Sequence, residues 1–179
     1  MKAILISIKP EWTAKILNGE KTVEVRTTAP KCELPIKVYI YCTKSHHIGY
    51  LANRYVGKVV ASFTMKRIGK VVRDGVAGVD WGRRRFFLYR ELDDHMALDG
   101  WCDLYRNAAI TEERLASYLR AKDGYAWHIE DLQILDKPKE LDEFDYPNPS
   151  GTRYVSKRSL NGLPNKKHPP QSWCYVEEK

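Results

Sequence analysis

Hydrophobic side chains recur along this chain with two different periods, and each change of period predicts a new element. Residues 3–8 form an Ile- and Leu-rich run interrupted by Ser7, which predicts a strand that stops at Lys9 and Pro10. Pro10 suits the first turn of a helix, where its missing N–H has no partner to lose. In that helix Trp12, Ile16 and the stem of Lys15 share a face, and Asn18 and Gly19 end it. Over residues 22–26 the period falls to two. Val23 and Val25 lie on one face, and Thr22, Glu24 and Arg26 on the other, which must meet water or a ligand.

Residues 37–43 carry substantial side chains on both faces and predict a central strand, with Val38, Ile40 and Cys42 against Tyr39, Tyr41 and Thr43. Residues 57–65 continue the sheet through Val59, Val60 and Phe63. From 66 to 90 cations dominate and Gly75, Gly78 and Gly82 loosen the chain, so this stretch is expected to be a basic excursion. Residues 92–107 show no clear period and are read as loop or short helix. Thr111 is an expected N-cap, with Glu112 and Glu113 in the first turn and Leu115, Tyr118 and Leu119 on one face. That helix should stop near Asp123 and Gly124. Alternation over 125–135 predicts one late strand with Trp127, Ile129, Leu132 and Ile134 as packing residues. Leu141 and Phe144 are anchors beyond Pro138, residues 145–170 are expected to be a long loop, and Trp173, Tyr175 and Val176 predict a short strand that docks on the sheet.

The chain has 179 residues, so these elements fit one domain, 1–179, with residues 66–124 as an insertion carrying a basic loop and a helix. The fold class is α+β, mainly β. No apolar run reaches the length of a membrane span, and the first residues enter a strand-like pattern without the features of a signal peptide. A cytoplasmic protein without membrane contact is expected, its oligomeric state open. Four scattered cysteines without C-x-x-C spacing read as reduced thiols. Thirty basic against 23 acidic side chains give a net charge of +7, which favours polyanionic partners or simply keeps the protein soluble.

Chemistry concentrates in Gly19-Glu20-Lys21-Thr22-Val23-Glu24-Val25-Arg26. A helix end turns on Gly19 into a strand that sets Glu24 and Arg26 about 7 Å apart at Cβ, with Lys21 at the turn. Lys21 and Arg26 suit a phosphate or a base edge, and Glu24 can orient Arg26 or accept from a base amino group. The plainer alternative is a solvated edge with an ordinary ion pair.

Residues 6–10 and 14–26, with Gly19, Lys21, Glu24 and Arg26 spelling G-x-K-x-x-E-x-R, resemble the opening of the ASCH domain family of the PUA-like superfamily. Residues 40–44, 125–129, 137–141 and 170–176 resemble its phage and prophage-type members. The resemblance implies a PUA-like β-barrel flanked by short helices, with Lys21, Glu24 and Arg26 facing a cleft for RNA or single-stranded or modified nucleic acid, joined by Lys9 and by Tyr41, Thr43 and Lys44. Some relatives are amidohydrolases acting on an acylated cytidine and use a Lys, a Thr and a Glu. Lys21 matches the first, but Glu24 stands at the threonine and the glutamate falls near Phe63, so two of the three parts are missing.

Other clusters weigh less. His128 beside Trp127 fits a general acid or base, a stacking partner for a nucleobase, or a polar position opposite the packing face. Cys42 with His46 and His47 lacks a second ligand pair, so neither a metal nor a cofactor is expected. Arg83, Arg84 and Arg85, followed by Phe86, Phe87 and Tyr89, mix cations with rings as single-strand binding surfaces do. Nucleic-acid binding through Lys9, Lys21, Glu24, Arg26, Tyr41, Lys44 and Arg83 to Arg85 is therefore expected. The alternatives are an amidohydrolase or ribonuclease with Lys21 and Glu24 as catalytic groups, and a protein-interaction module built on the basic loop.

Overall fold

The computed structural model describes residues 2–44, 54–73, 86–89, 100–120, 122–145 and 168–178. Ten strands and three α-helices occur among them, in the order β1 (Lys2–Ile8), α1 (Pro10–Leu17), β2 (Val23–Arg26), β3 (Ile36–Cys42), β4 (Val59–Met65), β5 (Ile68–Arg73), β6 (Phe86–Tyr89), α2 (Gly100–Asn107), α3 (Glu112–Leu119), β7 (Gly124–His128), β8 (Glu130–Lys139), β9 (Phe144–Asp145) and β10 (Trp173–Glu178). The class is α+β, mainly β. The barrel implied by the resemblance is corrected: the strands pair as one six-stranded sheet, β8-β4-β3-β1-β10-β9, and one four-stranded sheet, β2-β7-β5-β6, neither closed on itself.

The two sheets belong to two compact units. The first unit comprises Met1–Leu17, Ile36–Thr64 and Asp131–Lys179; the second comprises Asn18–Pro35 and Met65–Glu130. In the first, β1 is buried along all but its first residue because it has a neighbour on each side: β3 runs parallel to it and β10 antiparallel. Strand β3 is interior too, as its two apolar faces require. Ala3, Leu5, Tyr39, Tyr41, Val59, Phe144 and Val176 form a core cluster there. The closing strand docks as its aromatics predicted, pairing Ile6 with Trp173 and Lys2 with Glu177.

In the second unit β2 is an edge strand paired with β7, and β7 in turn pairs with β5. Val23, Val25, Val71 and Ala126 make the apolar face of this sheet, and Leu104 of α2, Ala108 just beyond it, and Leu115 and Leu119 of α3 cover it. Thr111 caps α3 by accepting from the Arg114 amide, and the left-handed Arg120 ends the helix before the expected stop.

Two expectations change and one is narrowed. Residues 68–73, read as part of a basic excursion, are a strand: Val71 is fully buried while Lys70 is exposed. Within the stretch read as loop or short helix, residues 100–107 are a short helix, in keeping with that reading. The alternation over 125–135 belongs to two strands in different sheets. The His128 and Ile129 amides donate to the Arg67 and Thr22 carbonyls, and Asp131, at φ +48°, turns the chain away, a conformation aspartate tolerates. Period two is the same in either sheet, so the pattern carries no sign of the switch.

Candidate functional site

The site grows from a helix end. Gly19, at φ +80°, takes the left-handed conformation that a side chain would strain, and it turns the chain out of α1 toward Lys21. The Asn18 side chain steadies this turn by accepting from the Glu20 amide at 3.0 Å. Immediately beyond, the Thr22 amide donates to the Asn107 carbonyl at 2.8 Å, tying the start of β2 to the end of α2.

At that helix end, carbonyls lack partners within the helix, and the backbone dipole places partial negative charge there. Lys21 exploits both: its Nζ donates to the Ala108 carbonyl at 2.7 Å. The same ammonium lies 3.2 Å from Glu24 Oε2, and Arg26 Nε lies 3.1 Å from Glu24 Oε1. Lys21, Glu24 and Arg26 are 4%, 8% and 8% exposed, so the solvated polar edge is corrected to a buried, bonded triad. Thr22, on the same polar face, is exposed. Counted over the three side chains, two cations share one carboxylate, leaving a charge of +1. Burial makes that arrangement matter, since a charge taken from water is tolerated only with close partners.

Tyr118 borders the triad, although nothing in its sequence context marks it as a site residue. The helical pattern placed it on the packing face with Leu115 and Leu119, and this is corrected: those two are buried while Tyr118 is 43% exposed. Arg26 donates a hydrogen bond to its hydroxyl. Partial burial pushes the phenol above its ordinary range, the Glu24 carboxylate adds to the rise, and the Arg26 guanidinium works against it. Gly124 lets α3 come this close. A Cβ there would stand 2.7 Å from the Leu119 side chain and 3.2 Å from the Arg26 carbonyl.

The remaining candidates lie elsewhere in the chain. Lys9, Tyr41 and Lys44 belong to the first unit. Lys9 is exposed, and its carbonyl accepts from Thr13 Oγ1 at 3.1 Å. Tyr41, expected at the cleft, is a core side chain, 3% exposed, and burial raises its hydroxyl pKa. Lys44 is exposed. Phe63 is a buried core residue, 1% exposed. His128 is half-buried. Cys42 is buried and its thiol is pushed up by that burial; His46, His47, Arg83, Arg84 and Arg85 fall outside the described residues. Among the described residues no His, Cys, Asp and Glu side chains cluster as metal ligands, and no helix is long and apolar enough to cross a membrane.

No family model matches the sequence, and no curated protein does. Solved structures do. The crystal structure of ASCH from Zymomonas mobilis matches with a TM-score of 0.56 at 19% identity, covering 98% of this chain and 87% of that one. The chain has the ASCH-domain fold. Two single-residue mutants of the same Zymomonas mobilis protein match with TM-scores of 0.54 and 0.55, each at 19% identity. They cover 99% and 98% of this chain and 91% and 88% of their own. The ASCH correspondence therefore takes in both units, including the segment that carries the triad.

Proposed function

We propose that this ASCH-fold chain binds nucleic acid, RNA in the first place, at the Lys21–Glu24–Arg26 triad. The observation that carries the reading is the convergence of two cations on one carboxylate within 3.2 Å. Glu24 holds the ammonium and guanidinium in fixed positions, and Arg26 offers an anion a preset partner with little ordering left to do. The chain's net charge of +7 draws a polyanion toward it over a longer range.

Both Glu24 oxygens face cations, which suits an orienting role better than proton abstraction. A binding function follows more directly from this geometry than the amidohydrolase or ribonuclease alternative. Arg83 to Arg85, and separately Lys9 and Lys44 of the first unit, are proposed as further cations that contact nucleic acid.

Fluorescence anisotropy with a labelled single-stranded RNA tests the reading across a series of salt concentrations. The logarithm of affinity should fall linearly with the logarithm of salt, and Arg26→Ala should weaken binding about tenfold and make that slope shallower by about one. An affinity for RNA that is absent, or one untouched by Arg26→Ala in a folded variant, would reject it.

A further inference from the structure

Most aromatic rings in the described structure are turned inward. Trp127, Tyr39, Phe63 and Phe144 are at most 2% exposed, and Trp12, Tyr105, Tyr125 and Trp173 are half-buried. Tyr118, at 43%, is the most exposed Phe, Tyr or Trp among the described side chains. Its place in the helix makes this unexpected. Leu115 and Leu119 supply the packing contacts of α3, so the ring is not needed to seat the helix.

What Tyr118 touches is equally specific: its hydroxyl accepts from Arg26, so a partly solvated ring is held beside a buried cation. Two constraints fix it, the helix through its backbone and the guanidinium through its oxygen. A ring restrained in this way presents a flat apolar face at small further entropic cost. Flat faces beside cations are what unpaired bases use, because every base has a π-face to stack and a phosphate next to it to neutralise.

We propose that Tyr118 is the stacking platform of the site: an unpaired base of single-stranded RNA lies on its exposed ring while Arg26, bonded to the same residue, meets the adjoining phosphate. The inference rests on the nucleic-acid reading above and narrows it to single strands. A duplex keeps its bases stacked internally and has none to place on the ring.

Three probes of equal length test this with the full chain: a single-stranded RNA, the same strand as a duplex, and a strand lacking bases. Tyr118→Ala should weaken the single strand by about 5- to 100-fold. Tyr118→Phe, which keeps the ring, should retain most of the affinity. The duplex and the baseless strand should bind Tyr118→Ala and the unaltered chain alike. If Tyr118→Ala binds the single strand as well as the unaltered chain does, the platform is disproved while nucleic-acid binding stands. Equal losses on all three probes would likewise overturn it, since the ring would then be serving only to hold Arg26. Failure of the unaltered chain to bind any of the three would instead remove the underlying reading. Because Tyr118 is exposed and its helix is seated by other residues, the variants should fold, which circular dichroism checks.

Discussion

Glu24 and Glu178 are each gripped from two sides, yet the grips differ in kind. Glu178, at the end of β10, accepts from the Tyr39 hydroxyl and from Lys139, and its side chain is 34% exposed. Its hydrogen-bond partners are a neutral phenol and Lys139, and Lys37, 4.8 Å from the centre of the Tyr39 ring, adds a second positive charge nearby. Phe144 packs edge-on against Tyr39 at 4.9 Å, and the cluster fastens the closing strand to the first sheet. Glu24 holds two cations on an edge strand, is more deeply buried, and leaves the group at +1. The difference lies in burial: water screens the grip on Glu178, whereas the two cations on Glu24 have exchanged most of their water for one carboxylate.

The largest effect that can break this contrast is on stability. Glu24→Ala strands two buried cations and should cost about 3 to 5 kcal/mol, whereas Glu178→Ala opens a partly solvated cluster and should cost about 1 kcal/mol. Urea unfolding of both variants measures the difference. Equal losses would mean that the two carboxylates do the same structural work.

A smaller effect sharpens the contrast through pH. The hydrogen bonds from Lys139 and Tyr39 hold the Glu178 carboxyl below its ordinary range. A depressed folded-state pKa means that the stabilisation is complete above the unfolded value and is lost as pH falls through the folded one. Unfolding free energy should therefore decline below about pH 4.5, and part of that decline, less than about 1 kcal/mol, should vanish in Glu178→Gln. An unchanged acid profile in the variant would show that the docking of β10 does not draw on this charge.

The legible parts of the molecule were those whose causes are local. Pro10 and Gly19 bracket α1, Thr111 caps α3, and the alternation of Val23 and Val25 against Glu24 and Arg26 sets the strand that carries the triad. What escaped depends on partners far along the chain. Lys21 finds a backbone carbonyl 87 residues away, and a carbonyl has no sequence signature. The exposed ring of Tyr118 follows from where α3 ends against Gly124 and Arg26, and helical spacing alone assigned it to the core. Strand β5 was hidden because exposed Lys70, following exposed Lys66 and Arg67, raises the local charge density around a buried Val71. The split between β7 and β8 turns on two backbone amides and one left-handed aspartate, none of which alters the period.

The central claim concerns one guanidinium, and its Nε–Hε resonance in a nitrogen-edited NMR spectrum reports on it directly once Arg26→Lys has assigned the signal. On titration with single-stranded RNA that resonance should shift and saturate in step with binding. RNA that binds to saturation while the Arg26 signal stays in place would contradict the account.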